Sequence, residues 1–182
     1  MGPSAIIEKN TSSLMSASDE VVLFKSMKSD DDRGYFKRVF EKSYGLEIVE
    51  SSVSYNRQKG TLRGLHFQKA PSRESKLITC VSGEIFDCVV DVRINSREYG
   101  RVQSFYLSED KGESLLIPPG FAHGFQTLKV DTRVLYQMSD YHDPALASTI
   151  SWNDPQLGIS WPLTPSVIST KDQETNPWPK KY

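Results

Sequence analysis

Between Ile48 and Met138, apolar and polar residues alternate in short runs, without the three-to-four spacing of helices. The runs are Val53–Asn56, Thr61–Gln68, Lys76–Val81, Glu84–Arg93, Val102–Leu107, Ser114–Ile117, Phe125–Leu128 and Arg133–Met138, with Gly, Pro, Asn and Ser between them. Upstream, Val21–Phe24 is a further strand candidate. The pattern predicts an all-β chain, a β-sandwich or jelly-roll barrel with minor helices. In Glu84–Arg93, strand alternation puts Phe86, Cys88, Val90 and Val92 on one face and Ile85, Asp87, Val89 and Asp91 on the other. The first face is that of a core. The second mixes apolar with acidic groups, which suits the lining of a barrel that holds a polar ligand. Stripes of helical period are short, around Tyr35–Tyr44 and after Ser169, and no fixed-period repeat is present.

The tail from Trp152 to Asp172 carries tryptophans and repeated prolines, too aromatic for a disordered segment. It is expected to fold back along the barrel and bring Asp172 to the mouth. Residues 1–20, rich in serine and without an apolar period, read as a mobile leader, leaving 21–182 as a single domain. With 182 residues, a domain of this kind buries enough surface to fold without disulfides or structural metal. The cysteines Cys80 and Cys88 stand at unequal distances from the turn-like Ser82-Gly83, so they are expected to be reduced, buried strand residues. A net charge of −1, from 22 basic and 23 acidic residues, provides no field to collect nucleic acid or an anionic membrane. No spanning apolar run or signal-peptide pattern occurs, so the expected location is cytoplasmic.

The candidate chemistry centres on Gly60–Gln68, where His66 sits between Leu65 and Phe67, and on Ile117–Phe125, where a Pro-Pro-Gly loop leads to His123. A barrel metal site needs a close pair of imidazoles with a carboxylate, and these two histidines stand apart in the chain. No Gly-x-Ser-x-Gly elbow supports a serine nucleophile. General base catalysis remains, since an imidazole oriented by a carboxylate removes protons near neutral pH. Arg63 lies three residues before His66, so a regular strand would send the two to opposite faces unless Gly64 makes a bulge. Arg33, beside Gly34, is placed to grip a phosphate. In isolation, Lys76 reads as a solvated lysine and Tyr136 as a half-buried strand aromatic; the alternatives are an oxyanion-stabilising cation and a phenolic acid.

Leu62-Arg63-Gly64-Leu65-His66-Phe67-Gln68, Lys76-Leu77, Gly83–Asp87 with Asp91-Val92-Arg93, Ile117–Phe125, Leu135-Tyr136, and Trp152–Pro155 with Gly158–Pro162 together resemble the dTDP-4-dehydrorhamnose 3,5-epimerase family. The likeness runs in unbroken order from about Arg33 to Asp172. It implies a cupin-type jelly roll, a homodimer, acting without metal or organic cofactor on a nucleotide-linked 4-keto-6-deoxy-hexose, dTDP-linked in the first instance. A C4 ketone acidifies the hydrogens at C3 and C5, so each centre can invert through an enolate. The resemblance makes His66 the base, Asp172 its orienting carboxylate, Tyr136 the proton donor on the opposite face and Lys76 the cation for the enolate oxygen. It assigns Arg63 and Arg33 to the pyrophosphate, with Arg33 supplied by the neighbouring subunit. Gln68 joins the substrate contacts, Tyr141 stacks near the base, and His123 with Asp87 forms a supporting pair on the pocket floor.

The chain also departs from the family pattern. Ser51-Ser52-Val53 replaces a Gln-Asp-Asn-like run, and Arg38 stands at a position that is often acidic. These positions bear on sugar and nucleotide contacts, so a single-carbon epimerase or a ketoisomerase on another nucleotide sugar is the alternative within the same chemistry. A non-catalytic cupin binding module is the rival of another class; it has no need of a base and an opposed acid. A metal-dependent cupin oxygenase would need the missing ligand cluster.

Overall fold

The computed structural model describes residues 19–178. The leader expected over residues 1–20 lies, apart from Asp19 and Glu20, outside the described residues. Two sheets face each other. The first has the order β1 (Val22–Lys25), β9 (Glu113–Ile117), β6 (Lys76–Ser82), β11 (Thr132–Met138), β4 (Glu50–Asn56). The second runs β12 (Ala147–Thr149), β5 (Thr61–Gln68), β10 (Phe121–Thr127), β7 (Glu84–Asp91), β8 (Val102–Ser108), with the two-residue β13 (Val167–Ile168) parallel to β5. Short turns at special backbone angles join neighbours. Gly83, at φ 85°, sits between β6 and β7, where a Cβ would meet the Thr132 hydroxyl at 2.4 Å. The all-β jelly-roll expectation holds.

The interior between the sheets is apolar: Ile78, Cys80, Ile85, Val89, Leu107, Leu115, Phe125 and Val134 are all fully buried. Each such large side chain contributes about 1.5–3 kcal/mol by leaving water. Alternation along β7 sends Phe86, Cys88 and Val90 to the other face, where Ile150, Leu157 and Trp178 of the tail cover them. The tail is tied down as expected of its aromatic content. Trp161 donates from Nε1 to the Trp152 carbonyl at 2.8 Å, and the Trp178 amide donates to Asp154 Oδ2 at 2.7 Å. Gln126 clasps Leu163 at both backbone groups, the Ser166 amide donates to Gly60 O, and β13 then pairs with Thr61 and Leu62. One helical turn, α1 (Thr170–Gln173), follows, capped by Ser169, whose side chain accepts from the Asp172 amide. The two cysteines are free and buried, one in each apolar cluster.

Two expectations need correction. The helical stripe at Tyr35–Tyr44 is instead an antiparallel hairpin, β2 (Lys28–Asp31) with β3 (Gly34–Lys37), followed by one 3-10 turn at Lys42–Tyr44. Gly34 at φ 123° turns the chain there, and Tyr35 and Phe36 lie exposed, so no apolar helix face forms. The strand expected at Phe125 begins at Phe121 and carries His123. Every residue of β10 is buried, on both faces, so the alternation that marks a half-buried strand is missing. No helix among the described residues is long and apolar enough to cross a membrane.

Candidate active site

The site begins with a defect in β5. His123 of β10 pairs with His66, but Phe125 pairs with Arg63, so three residues of β5 oppose two of β10. The extra residue is a bulge at Gly64, and it removes the alternation problem posed by Arg63 and His66. Gly64 has φ 127°, and a Cβ there would stand 2.5 Å from Gly124 Cα and 2.9 Å from His123 O. Gly124 is bound by the same contact, since its own added Cβ would lie 2.7 Å from Arg63 O. Two glycines thus let the backbones of β5 and β10 touch, and that contact sets the register from which His66 projects.

The tail meets this bulge. Asp172, 3% exposed, places Oδ1 2.6 Å from His66 Nε2 and accepts the Gly64 N–H at Oδ2, 3.3 Å away. Burial by itself would raise the Asp172 pKa, but the hydrogen bond and charge of His66, the Gly64 N–H and Ser169 outweigh it and hold the carboxyl below its ordinary range. An ionised carboxylate can only accept, so Nε2 of His66 carries the proton in this contact. Whenever the imidazole is neutral, Nδ1 then carries the lone pair of a base. The side chain of His66 is 43% exposed and reaches the cleft, while its partner is enclosed.

Tyr136 on β11 lies where the charges of Asp87, Arg63 and Asp172 all act on its phenol, though it is not in the wall of the cleft beside His66. Burial first, then the Asp87 charge, pushes its pKa well above the ordinary tyrosine value, so the phenol stays protonated throughout the physiological range. A second dyad supports it: His123 Nε2 lies 2.8 Å from Asp87 Oδ2, both side chains being almost wholly buried, and the His123 ring stands edge-on to Tyr136 at 6.0 Å between centroids. Asp87 Oδ1 is buried without a protein partner.

A cleft opens beside the His66–Asp172 pair, lined by His66, Gln68, Glu74, Lys76, His142 and Lys171, with β12 along one wall. Lys76 starts β6 and forms an ion pair with Glu74. Gln68 is 8% exposed, and its amide is engaged by the loops: Nε2 donates to Tyr141 O and Ser72 Oγ, and Oε1 accepts the Asp143 N–H. Arg63 donates from Nε to Asn56 Oδ1 at 2.8 Å, and among the described residues its other guanidinium nitrogens have no partner. Arg33 stands apart at the tip of the β2–β3 hairpin, 90% exposed and paired with Asp31. Tyr141 is 67% exposed and is not in the cleft wall; His142, its neighbour, is.

His142, Lys171 and Glu74 are cleft residues that sequence reasoning missed. Glu74 lies in the loop before β6, beyond the reach of strand alternation, so no period in the sequence marks it. Lys171 could have followed from its place beside Asp172, whereas nothing in the sequence marks His142. Among the described residues no group of three or more histidine, cysteine, aspartate or glutamate side chains is placed to hold a metal ion.

The comparisons with known proteins follow the same lines. The profile described as dTDP-4-dehydrorhamnose 3,5-epimerase matches residues 16–179. A dTDP-4-dehydrorhamnose 3,5-epimerase of Sinorhizobium fredii is 41% identical over 160 residues, covering 84% of this chain and 82% of the relative. Among solved structures, the dTDP-4-dehydrorhamnose 3,5-epimerase of Bacillus anthracis with TDP and PPi bound has a TM-score of 0.85 at 36% identity, over 96% of this chain and 99% of that one. The Legionella pneumophila dTDP-6-deoxy-D-glucose-3,5-epimerase in complex with dTDP-4-keto-L-rhamnose has a TM-score of 0.81 at 36% identity, over 87% of each chain. By the span of the profile, the identity to its relatives and the shared fold, the chain belongs to the dTDP-4-dehydrorhamnose 3,5-epimerase family.

Proposed function

We propose that this protein inverts C3 and C5 of a dTDP-linked 4-keto-6-deoxy-hexose, with His66 as the base. The observation that carries the reading is the His66–Asp172 contact, which leaves Nδ1 of an exposed imidazole free to take a proton, with a protonated phenol close enough to feel the Asp172 charge. His66 removes the proton next to the C4 ketone, the negative charge passes to the C4 oxygen, and Lys76 stabilises it there. That charge develops only after proton removal, so Lys76 acts on the transition state more than on binding. Tyr136 returns a proton from the opposite face, which inverts the centre. His66 releases the proton it took to solvent and the resulting tyrosinate recovers one from solvent, which restores both groups between turnovers.

Arg63 and Lys171 flank the dyad, one on each segment that builds it, and are suited to the two phosphates. Lys171 has no counter-ion among the described residues. The nucleotide base then lies by the His142 loop, where Tyr141 or His142 supplies the stacking ring. Arg33 reaches a site only from a second subunit, since the hairpin carries it away from its own cleft, and the exposed Tyr35 and Phe36 beside it suit such a contact. The protein therefore works as a homodimer, and it needs no metal or organic cofactor. Arg38 faces Glu41 at 3.7 Å and falls outside the acid-base set, whereas Ser52 of the Ser51-Ser52-Val53 run pairs with Tyr136 in the β4–β11 register.

Turnover of dTDP-, UDP- and GDP-linked 4-keto-6-deoxyglucose, compared at equal concentration, tests the nucleotide assignment. The dTDP compound is expected to give the highest kcat/KM; a preference for another nucleotide would overturn that part of the reading. Sedimentation at micromolar concentration should show a dimer, and a monomer that is active would remove Arg33 from the site.

A further inference from the structure

Lys76 and Glu74 form an unusual pair for residues at a ligand site. Their side chains are 15% and 8% exposed, so a carboxylate stands almost enclosed beside a cation that the proposed chemistry leaves to face an oxyanion. An enclosed carboxylate is tolerated only when paired, and it confers no solubility from there. The loop that carries it is also fixed. The Glu74 amide donates to Ser72 Oγ at 3.2 Å; the same hydroxyl accepts from Gln68 Nε2 at 3.3 Å and donates to Asp140 Oδ2 at 2.9 Å. That is the full capacity of a hydroxyl, two bonds accepted and one donated. The Arg73 amide donates to the same Asp140 oxygen, and Ser75 and Ser139 are joined twice: Ser75 N–H to Ser139 Oγ at 2.8 Å and Ser139 N–H to Ser75 O at 3.1 Å. Ser139 and Asp140 directly follow β11, the strand that carries Tyr136. Glu74 is thus held in place from the same strand end that positions the proposed acid.

We infer that Glu74 is a positioning residue that holds the Lys76 ammonium at the place where the substrate's C4 oxygen arrives. The inference rests on Lys76 being the enolate cation. Lysine has a long, flexible stem, and a point charge helps a transition state in proportion to how little it must reorganise. One N–H of the ammonium goes to Glu74, and two remain for the substrate oxygen. The loss falls on turnover of the sugar and not on dTDP affinity, because dTDP lacks the hexose whose C4 oxygen Lys76 meets.

The test is a double-mutant cycle read by kcat for the dTDP sugar and by dTDP affinity from calorimetry. Glu74→Gln is expected to lower kcat about tenfold to a hundredfold, as for the loss of one charge-assisted bond, with the dTDP Kd within twofold of the parent. Glu74→Asp should recover part of the loss. In a Lys76→Met background, adding Glu74→Gln should lower kcat no further, since a positioning residue has nothing left to position. That double variant carries no unpaired buried charge, so it serves if Glu74→Gln alone does not fold. A Glu74→Gln enzyme with kcat within twofold of the parent, or a multiplicative loss in the Lys76→Met background, would overturn the role of Glu74. A parent enzyme that turns over no nucleotide sugar would instead overturn the epimerase reading on which it rests.

Discussion

Replacing Asp172 with asparagine keeps the size of the side chain and removes its charge, so it isolates what the carboxylate does. The two oxygens have different partners, His66 Nε2 at 2.6 Å and the Gly64 N–H at 3.3 Å, and both partners donate. An amide has only one acceptor atom. With its oxygen toward His66, its NH2 confronts the Gly64 N–H; with its oxygen toward Gly64, its NH2 donates to Nε2 and drives the ring proton to Nδ1. The first arrangement strains the bulge, and the second occupies the atom that acts as the base. A hydrogen bond to a charged partner is worth about 1.5–3 kcal/mol. At about 1.4 kcal/mol per decade, its loss from the transition state slows kcat by roughly 10- to 150-fold. The dTDP Kd should stay close to that of the parent, because Asp172 lies behind His66. Steady-state kinetics with the dTDP sugar, alongside calorimetric titration with dTDP, separates the two effects. A kcat within twofold of the parent would refute the reasoning, and so would a loss confined to KM. Stability gives a second reading of the same group. Its depressed pKa contributes stability above the unfolded carboxylate value of about 3.9, and that contribution is lost as pH falls through the folded pKa. The stability gap between parent and Asp172→Asn should therefore be full at pH 6 and close on acidification below pH 4.

Gly64→Ala puts a methyl group onto Gly124 Cα at 2.5 Å, at a φ of 127° that side chains rarely adopt, so a loss of about 3 kcal/mol or more is expected in a urea titration, with activity lost too; an alanine variant of parental stability would contradict the close contact of β5 with β10. Tyr136→Phe should abolish epimerisation, and it should also relieve alkaline instability. The folded phenol titrates above the unfolded one, so the parent loses stability at about 1.4 kcal/mol per pH unit once pH passes the unfolded value near 10, and the variant lacks this contribution. Equal alkaline slopes in the two proteins would count against the buried phenol. Burial pushes the Cys80 thiol up to about 12 and the equally buried Cys88 thiol up as well, so neither should react with iodoacetamide in the native protein at pH 8, whereas both should in urea; rapid native labelling would contradict their burial.

Much of this architecture is legible along the chain because half-buried strands announce themselves by alternation. β7 is the clearest case: its two faces could be sorted before any coordinates, and they pack against different apolar clusters. β10 was cut short for the opposite reason, since a strand buried on both faces shows no alternation. The bulge was legible as a need, because Arg63 and His66 could share a face only if Gly64 broke the period. The aromatic tail suggests the return of Asp172, but its two hydrogen bonds join residues 106 and 108 positions apart. Glu74 lines the cleft through such long-range placement, and single charged residues in loops look alike in sequence whichever way they face. The β2–β3 hairpin reads as a helical stripe because Phe36, Phe40 and Tyr44 fall four residues apart, yet Phe36 is exposed while Phe40 and Tyr44 pack in an apolar cluster of their own.

The central claim is that His66 removes a proton from carbon next to a ketone. Incubation with dTDP-4-keto-6-deoxyglucose in deuterated water, followed by NMR, reads that event at each carbon. The parent protein is expected to exchange hydrogen for deuterium at C3 and C5, and His66→Ala and His66→Asn should retain the fold and show no exchange. Exchange at neither carbon by the parent, or exchange at the parental rate by His66→Ala, would contradict the account.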